Sequence, residues 1–458
     1  MADQGDRAPR ARICIDFGTA LSKASVCIDP TMPLELGVKP IPIGAVSGAD
    51  HPLLTPSVLF VDGGRLYFGP TAFERARQGI VSNRDPLLSF KTVLGAKDVQ
   101  AALATKMRPA VDPTGTLTQR DALVLYLAYL DQLIREAISR SPNMPPGIAD
   151  ARRRYTSPVW SKGGGTDVVF EQIFSEATSI SHRLGRIFLL PDGISIAQCK
   201  DALDKAKNAP MDSRLDTGVF EPHAAAAASL AFTSSPTRFV IVFDIGAGTT
   251  DIAAFDFDES VNPPALTEIK EARQCNALAG DRIDRVLIEL FLKKRGGPVV
   301  NEEDKRFVRA SALFARALKR ELFAEGKCSI KEGWKTTVIK LSDLYEDPGF
   351  REYQAALEQS FAASLGAVAN RARQRGGLVI DVVLAGGGSH LPFLPGVVRS
   401  AGARVAQGLE LRVGPLSPDS EFYASIDPYF ASVFPQIAIS IGGALVEMLD
   451  APARSHAA

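Results

Sequence analysis

Hydrophobic and polar positions alternate over Arg12–Ile28, where "RICIDFGTALSKASVCI" predicts two short strands around a turn. The pattern returns at Thr55–Gly69, "TPSVLFVDGGRLYFG", with Asp62, Gly63 and Gly64 supplying hairpin-turn chemistry. "RRRYTSPVW" predicts another strand, followed by the glycine-rich loop "SKGGGTD", and "RIFLLPDG" predicts a buried strand. In "FVIVFDIGAGTTDIAAFDF", Phe239–Phe257, two apolar runs flank an aspartate, glycines, threonines and a second aspartate. "LVIDVVLAGGGSHLPFLPGVV" predicts strand, glycine turn and helix.

Helical periodicity governs Arg120–Ile138, "VFEQIFSEATSISHRLG", and the small-residue stretch Glu221–Phe232. It continues in "DRIDRVLIELFLKKR" and "EEDKRFVRASALFARALKRELF" and, after a short β-rich piece, in "FREYQAALEQSFAASLGAVANRARQR". "PQIAISIGGALVEML" predicts a closing helix with Pro435 near its first turn. Residues 1–11 are polar and read as frayed. Strands alternating with helices predict an α/β protein.

The chain's 458 residues exceed one small core, so two or more domains or subdomains are expected. Lys plus Arg and Asp plus Glu are both 52, which argues against a broad nucleic-acid or anionic-membrane footprint. Cys14, Cys27, Cys199, Cys275 and Cys328 lack any C-x-x-C spacing and the five histidines are dispersed, so no structural zinc is expected. Scattered thiols suit a reducing cytoplasm. No apolar stretch precedes the first strand, and no run approaches the ~18 residues of a membrane span. A cytoplasmic location is therefore expected.

One motif is written twice. "RICIDFGTALSKASVCI" and "VIVFDIGAGTTDIAAFDF" both carry an apolar run, Asp-x-Gly, small or polar residues, then a second apolar run. Asp16 and Asp244 hold the same place, which predicts two similar halves facing each other. Gly18, Gly246 and Gly248 leave no Cβ in the way of backbone N–H groups closing on a phosphate. Thr19, Thr249 and Thr250 add hydroxyls at that rim. Two facing aspartates call for a cation, and magnesium takes a few carboxylates plus water and substrate phosphates. The plain alternative is an ordinary glycine turn in each hairpin. A third element, Val382–Leu394, leads a buried strand into Gly386, Gly387 and Gly388, where a flat or anionic group could lie against backbone. The alternative there is a mobile strand-to-helix loop.

In this order the elements resemble the actin-fold ATPases and, among them, the nucleotide-binding domain of DnaK-type, seventy-kilodalton heat-shock chaperones. "IDFGTALSKASV" resembles the first phosphate loop, "FDIGAGTTDIAAF" the second and "VLAGGGSHLPFL" the adenosine loop. "TPSVLF" is similar to the first lobe's Thr-Pro-Ser strand. "SFKTVLG" places the family's catalytic lysine on Lys91, and "FEPHAAAAASL" places its second-shell carboxylate on Glu221. The resemblance covers roughly residues 12–450 and implies duplicated ribonuclease-H-like lobes, each with an insertion. The first lobe spans 12–220, and the second spans 221–450 with a helical insertion at about 278–350.

The resemblance implies ATP or ADP with magnesium in a central cleft. Asp16 and Asp244 would hold the metal through water, while Lys91 and Glu221 orient the attacking water. Backbone and side chains of Gly18, Thr19, Ala20, Gly246, Ala247, Gly248, Thr249 and Thr250 would face the phosphates. Gly386, Gly387, Gly388 and Ser389 would face the adenosine. Lys319 and Arg320 fall on the family's ribose contact and adenine-packing arginine, and Gly280 opens the second lobe's insertion. The plain alternatives are a surface lysine for Lys91, a helix N-terminal carboxylate for Glu221 and a solvated face for Lys319–Arg320.

Departures are present. Ala20 replaces a threonine, Gly388 replaces a serine, and Arg316 and Phe323 stand where the family has a ribose-binding carboxylate and an adenine-contacting serine. Only DAPARSHAA follows Leu449, so the expectation is an ATPase module without a peptide-holding domain. The leading expectation is a slow chaperone-type ATPase switch read by a protein partner or co-chaperone. The alternatives are an actin-like filament former, a binding scaffold that keeps the fold without the chemistry, and, distantly, a small-molecule kinase.

Overall fold

The computed structural model describes residues 11–30, 32–80, 83–158, 165–207, 210, 212, 214–232, 237–258, 260, 265–297, 299, 301–332, 334–418 and 430–445. It is a mixed α/β structure built on two six-stranded sheets. In the first, Arg12–Asp16 and Leu21–Cys27 form the expected hairpin, and Val38–Ile41 extends it antiparallel. Arg12–Asp16 pairs on its other side with Arg152–Ser157, parallel, and that strand with Val219–Phe220, also parallel. The second sheet repeats this order. Phe239–Ile245 and Thr250–Asp258 form the hairpin, and Ala265–Glu268 extends it antiparallel. Val379–Ala385 and Glu410–Pro415 add parallel strands on the far side.

Even the sixth strands correspond. Thr55–Pro56 pairs with the first hairpin just after its turn, and Gln274–Asn276 pairs with the second at the same place. Every residue of Phe239–Ile245 is buried, as a strand covered on both faces requires. A separate hairpin, Leu59–Asp62 with Arg65–Phe68, turns on Gly63 and Gly64 at φ 53° and 70°. Two positive φ angles in a two-residue loop are what glycine supplies most readily.

One core lies on the first sheet under the helix Gln119–Arg140, with Tyr126 and Leu130 fully buried. Another lies on the second sheet under Pro348–Gln374, where Phe361 stacks on Phe243 at 5.0 Å. A third joins the sheets: Cys14 and Val242 share it with the alanine helix Glu221–Ala231 and the helix Phe430–Ala444. These two helices cross in close contact. A Cβ on Gly442 would lie 1.8 Å from the Ala224 carbonyl oxygen. Gly442→Val is expected to cost about 3 kcal/mol, the upper part of the overpacking range. Urea denaturation checks this, and a midpoint equal to wild type would exclude so tight a crossing.

Two elements depart from expectation. Within "RIFLLPDG", Gly185–Leu189 is a 3₁₀ turn and not a strand. Gly185 ends the preceding helix Thr166–Leu184, and within Gly185–Leu189 only Phe188 is buried, edge-on to Phe68. A short apolar run carries no periodicity to tell the two apart. The last described helix begins at Phe430, which puts Pro435 in its interior and not at its first turn. Pro435 has no N–H to donate, but its carbonyl oxygen accepts the N–H of Gly386 at 3.0 Å. Residues 1–10, most of the "SKGGGTD" loop and the chain after Leu445 lie outside the described residues. Among the described residues no helix is long and apolar enough to cross a membrane.

Candidate functional site

The turns of the two hairpins meet. A Cβ on Gly248 would lie 2.8 Å from the Thr92 methyl and 3.0 Å from that of Thr19, so only glycine lets the second turn come this close to the first. Gly18 is confined too: a Cβ there would be 2.2 Å from the Leu21 carbonyl, while Ser57 donates to the Gly18 carbonyl at 2.7 Å. Ala20 accepts the Ser57 N–H through its carbonyl, at 2.9 Å. In the second turn the Gly246 N–H donates to the Thr249 carbonyl at 2.9 Å. The Gly280 and Asp281 N–H groups, opening the helix Gly280–Arg295, donate to the Gly246 and Ala247 carbonyls at 3.0 and 2.8 Å. The Thr250 hydroxyl donates to the Leu278 carbonyl, fixing that helix entry against the turn.

The third glycine stretch closes on the same place. Gly386 has φ 77°, and a Cβ there would be 2.2 Å from Asp244 Oδ1. The Gly388 N–H donates to the Ile245 carbonyl at 2.8 Å, and Ser389 is buried beside it. Gly387 has open space around its Cα.

Charged groups gather behind these turns. Asp16 ends its strand fully buried, accepting from the Thr156 hydroxyl at 3.2 Å and facing Lys23 Nζ at 2.8 Å. Lys91, buried in the short 3₁₀ helix Phe90–Gly95, donates to Glu221 Oε1 at 2.6 Å. Its ammonium also lies 5.7 Å from the centre of the Phe17 ring, within cation–π range. Glu221 opens the alanine helix, where the macrodipole favours a carboxylate.

Burial pushes the Glu221 carboxyl up; Lys91 opposes this, and Asp16 and Asp251 add to it. Asp244 is held well above the ordinary carboxylate value by burial, then by Glu221 and Asp251, against Lys23, with Asp16 adding. Burial works against the Lys23 charge, but Asp16, with Glu221 and Asp244, outweighs it and raises that ammonium. Asp16, Lys23, Glu221 and Asp244 are therefore one electrostatic unit, with Lys91 held to Glu221.

The residues expected near a sugar and base divide between the second turn and the surface. Lys319 donates to the Gly280 carbonyl at 3.0 Å and pairs with Asp284 at 2.8 Å, at the mouth of the second turn. Arg320, the next residue on the helix Glu302–Glu325, is exposed. Arg316 reaches across instead, donating to Ser89 Oγ at 3.3 Å, while Ser89 donates to Asp281 at 2.9 Å. Phe323 packs on Phe393, 6.4 Å between ring centres. Two cavities lie away from the charged unit. One of about 540 Å³ is bounded by Thr267, Glu268 and Arg371, and one of about 340 Å³ by Arg84, Leu87 and Arg309.

Sequence reasoning passed over Lys23, a member of the unit, and Asp251, a carboxylate that acts on it. Lys23 is paired in register with Asp16, and Asp251 in register with Asp244. Laying one hairpin sequence over the other would have aligned Lys23 with Asp251 and marked both. Among the described residues no group of three or more His, Cys, Asp or Glu side chains has the arrangement of a metal cage. A hydrated magnesium, which takes a few carboxylates plus water and substrate phosphates, needs no such cage. The donors present fit such an ion: Asp244 Oδ1 is buried with no hydrogen-bond partner, in a surround richer in carboxylates than ammonium groups. No known protein family matches this chain by sequence profile.

Proposed function

We propose that this chain is a magnesium-dependent ATPase of the two-lobed actin-like fold. In this reading it acts, like DnaK-type chaperone ATPase domains, as a nucleotide-gated switch for a partner protein. The observation that carries the reading is the buried Lys91–Glu221 pair, set beside Asp16 and Asp244 at the meeting turns of two hairpins in sheets of the same strand order. ATP would place its phosphates between the turns carrying Gly18, Thr19, Gly246, Gly248 and Thr249. Magnesium, when bound, would neutralise phosphate charge there, with Asp244 as a carboxylate that would hold it and Asp16 beside it, paired with Lys23.

The remaining chemistry belongs to the chain. Lys91 sits on a short helix fixed to the second half through Ser89 and Asp281, so its ammonium is positioned before substrate arrives. An ammonium aimed at the reacting phosphoryl group stabilises the charge that develops there, and does so best where water is scarce. Glu221, raised by burial, holds Lys91 in place and can orient a water for in-line attack. The small-residue crossing of the alanine helix over Phe430–Ala444 links this carboxylate to both sheets.

Magnesium-ATP is expected to raise the melting temperature, since a ligand at 100 times its Kd stabilises by about 2.7 kcal/mol. Differential scanning fluorimetry with ATP, with and without magnesium, checks this; no shift in either would remove the nucleotide reading. Sedimentation under the same conditions separates a switch from a filament. Turnover without pelleting is the outcome expected here.

A further inference from the structure

The two hairpins correspond position by position, with one exchange of sign. Asp16 faces Lys23 across the first, whereas Asp244 faces Asp251 across the second. Like charges directly opposite on neighbouring strands destabilise a sheet, and opposite charges support it. The first hairpin thus carries its own cation. Lys23 Nζ lies 2.8 Å from Asp16 Oδ2, and it would lie 3.3 Å from a Cβ on Gly18, which puts it at the turn itself. Lys23 is 9% exposed and Asp16 1%, so water does little to screen either. With Thr156 on its other oxygen, Asp16 has both oxygens engaged by the protein. Asp244 differs in its charge partner: its Oδ1, like Asp16 Oδ2, is buried without a hydrogen bond, but the residue facing it across the hairpin is Asp251 and not an ammonium.

We propose that Lys23 is a resident counter-cation that keeps Asp16 out of metal coordination, so that a divalent cation is gathered on the Asp244 side of the cluster. The inference rests on reading the cluster as a metal–nucleotide site. It assigns Lys23 a positioning role that decides which carboxylate meets the ion. Removing the ammonium leaves a buried, ionisable Asp16 beside Asp244, and the site then takes up free metal in its place.

The test uses manganese alone, titrated into the full chain without nucleotide and followed by the electron paramagnetic resonance signal of the free ion. Lys23→Met is expected to bind manganese at least about tenfold more tightly than wild type or to take up a further equivalent, the scale on which groups around a metal site tune affinity. The double variant Asp16→Asn with Lys23→Met is expected to return to wild-type binding. Identical titrations for wild type and Lys23→Met overturn the proposal, as does loss of manganese binding in the double variant. Circular dichroism establishes folding. If Lys23→Met does not fold, the neutral double variant decides: wild-type binding supports the proposal, and lost binding overturns it. The ATP melting shift is read separately. A shift with identical manganese titrations would sink the role of Lys23 alone, and a manganese gain without any ATP shift would sink the nucleotide reading alone.

Discussion

Lys91→Ala is expected to slow single-turnover ATP hydrolysis by about 10³-fold, the lower end of what a charged group contributes at phosphoryl transfer. Nucleotide binding should change little. The ammonium is buried and committed to Glu221 at 2.6 Å, so it is held for one position and not for general attraction of an anion. A group that acts chiefly on charge developing in the transition state lowers turnover without weakening the ground-state complex. The substitution has a second consequence. Without its cation, the Glu221 carboxylate is left in a site where burial already disfavours the charged form, so it is less able to orient a water. The double variant Lys91→Ala with Glu221→Gln should therefore be little slower than Lys91→Ala alone. Rapid-quench kinetics with radiolabelled ATP gives turnover, and equilibrium dialysis gives affinity. A normal single-turnover rate in Lys91→Ala would make this ion pair a structural one.

Legibility in the sequence followed the range of the interactions. The hairpins could be read because period-two alternation and an Asp-x-Gly turn are local, and both lie where the pattern put them. The parallel pairings could not. Nothing near Arg12–Asp16 signals that Arg152–Ser157 will lie beside it, since the partner is chosen by a crossover and not by neighbours in the chain. The same limit hid Lys23. A lysine within an alternating strand reads as a solvent-facing residue, and only the register across the turn turns it inward onto Asp16. Lys319 shows the same limit from another side. Its helix was predicted well, yet its ammonium is taken by Asp284 and the Gly280 carbonyl, partners fixed by how two helices pack. "RIFLLPDG" was too short for either period to win, so burial decided, and burial is a tertiary property.

Asp244→Asn should lose magnesium-dependent turnover and yet gain stability, a combination that separates a functional carboxylate from a structural one. Burial, Glu221 and Asp251 hold the folded-state carboxyl well above its ordinary value of 3.8, so the charged form is disfavoured on folding. As pH rises past that ordinary value the unfolded chain loses this proton first, and the folded state loses stability until its own raised value has been passed. Asparagine does not titrate. The stability of the variant relative to wild type should therefore grow from pH 4 upward, reaching about 1–3 kcal/mol, the scale for relieving an unsatisfied buried polar group. Urea denaturation at several pH values, without metal, measures the gap. Magnesium should narrow it by stabilising wild type alone, because a cation at Asp244 supplies the charge the fold withholds. A variant less stable than wild type at neutral pH would mean that Asp244 is paid for by a structural partner and would remove it from the metal's shell. A gap that widens with pH and closes with magnesium ties the cost of burying Asp244 to the work it does.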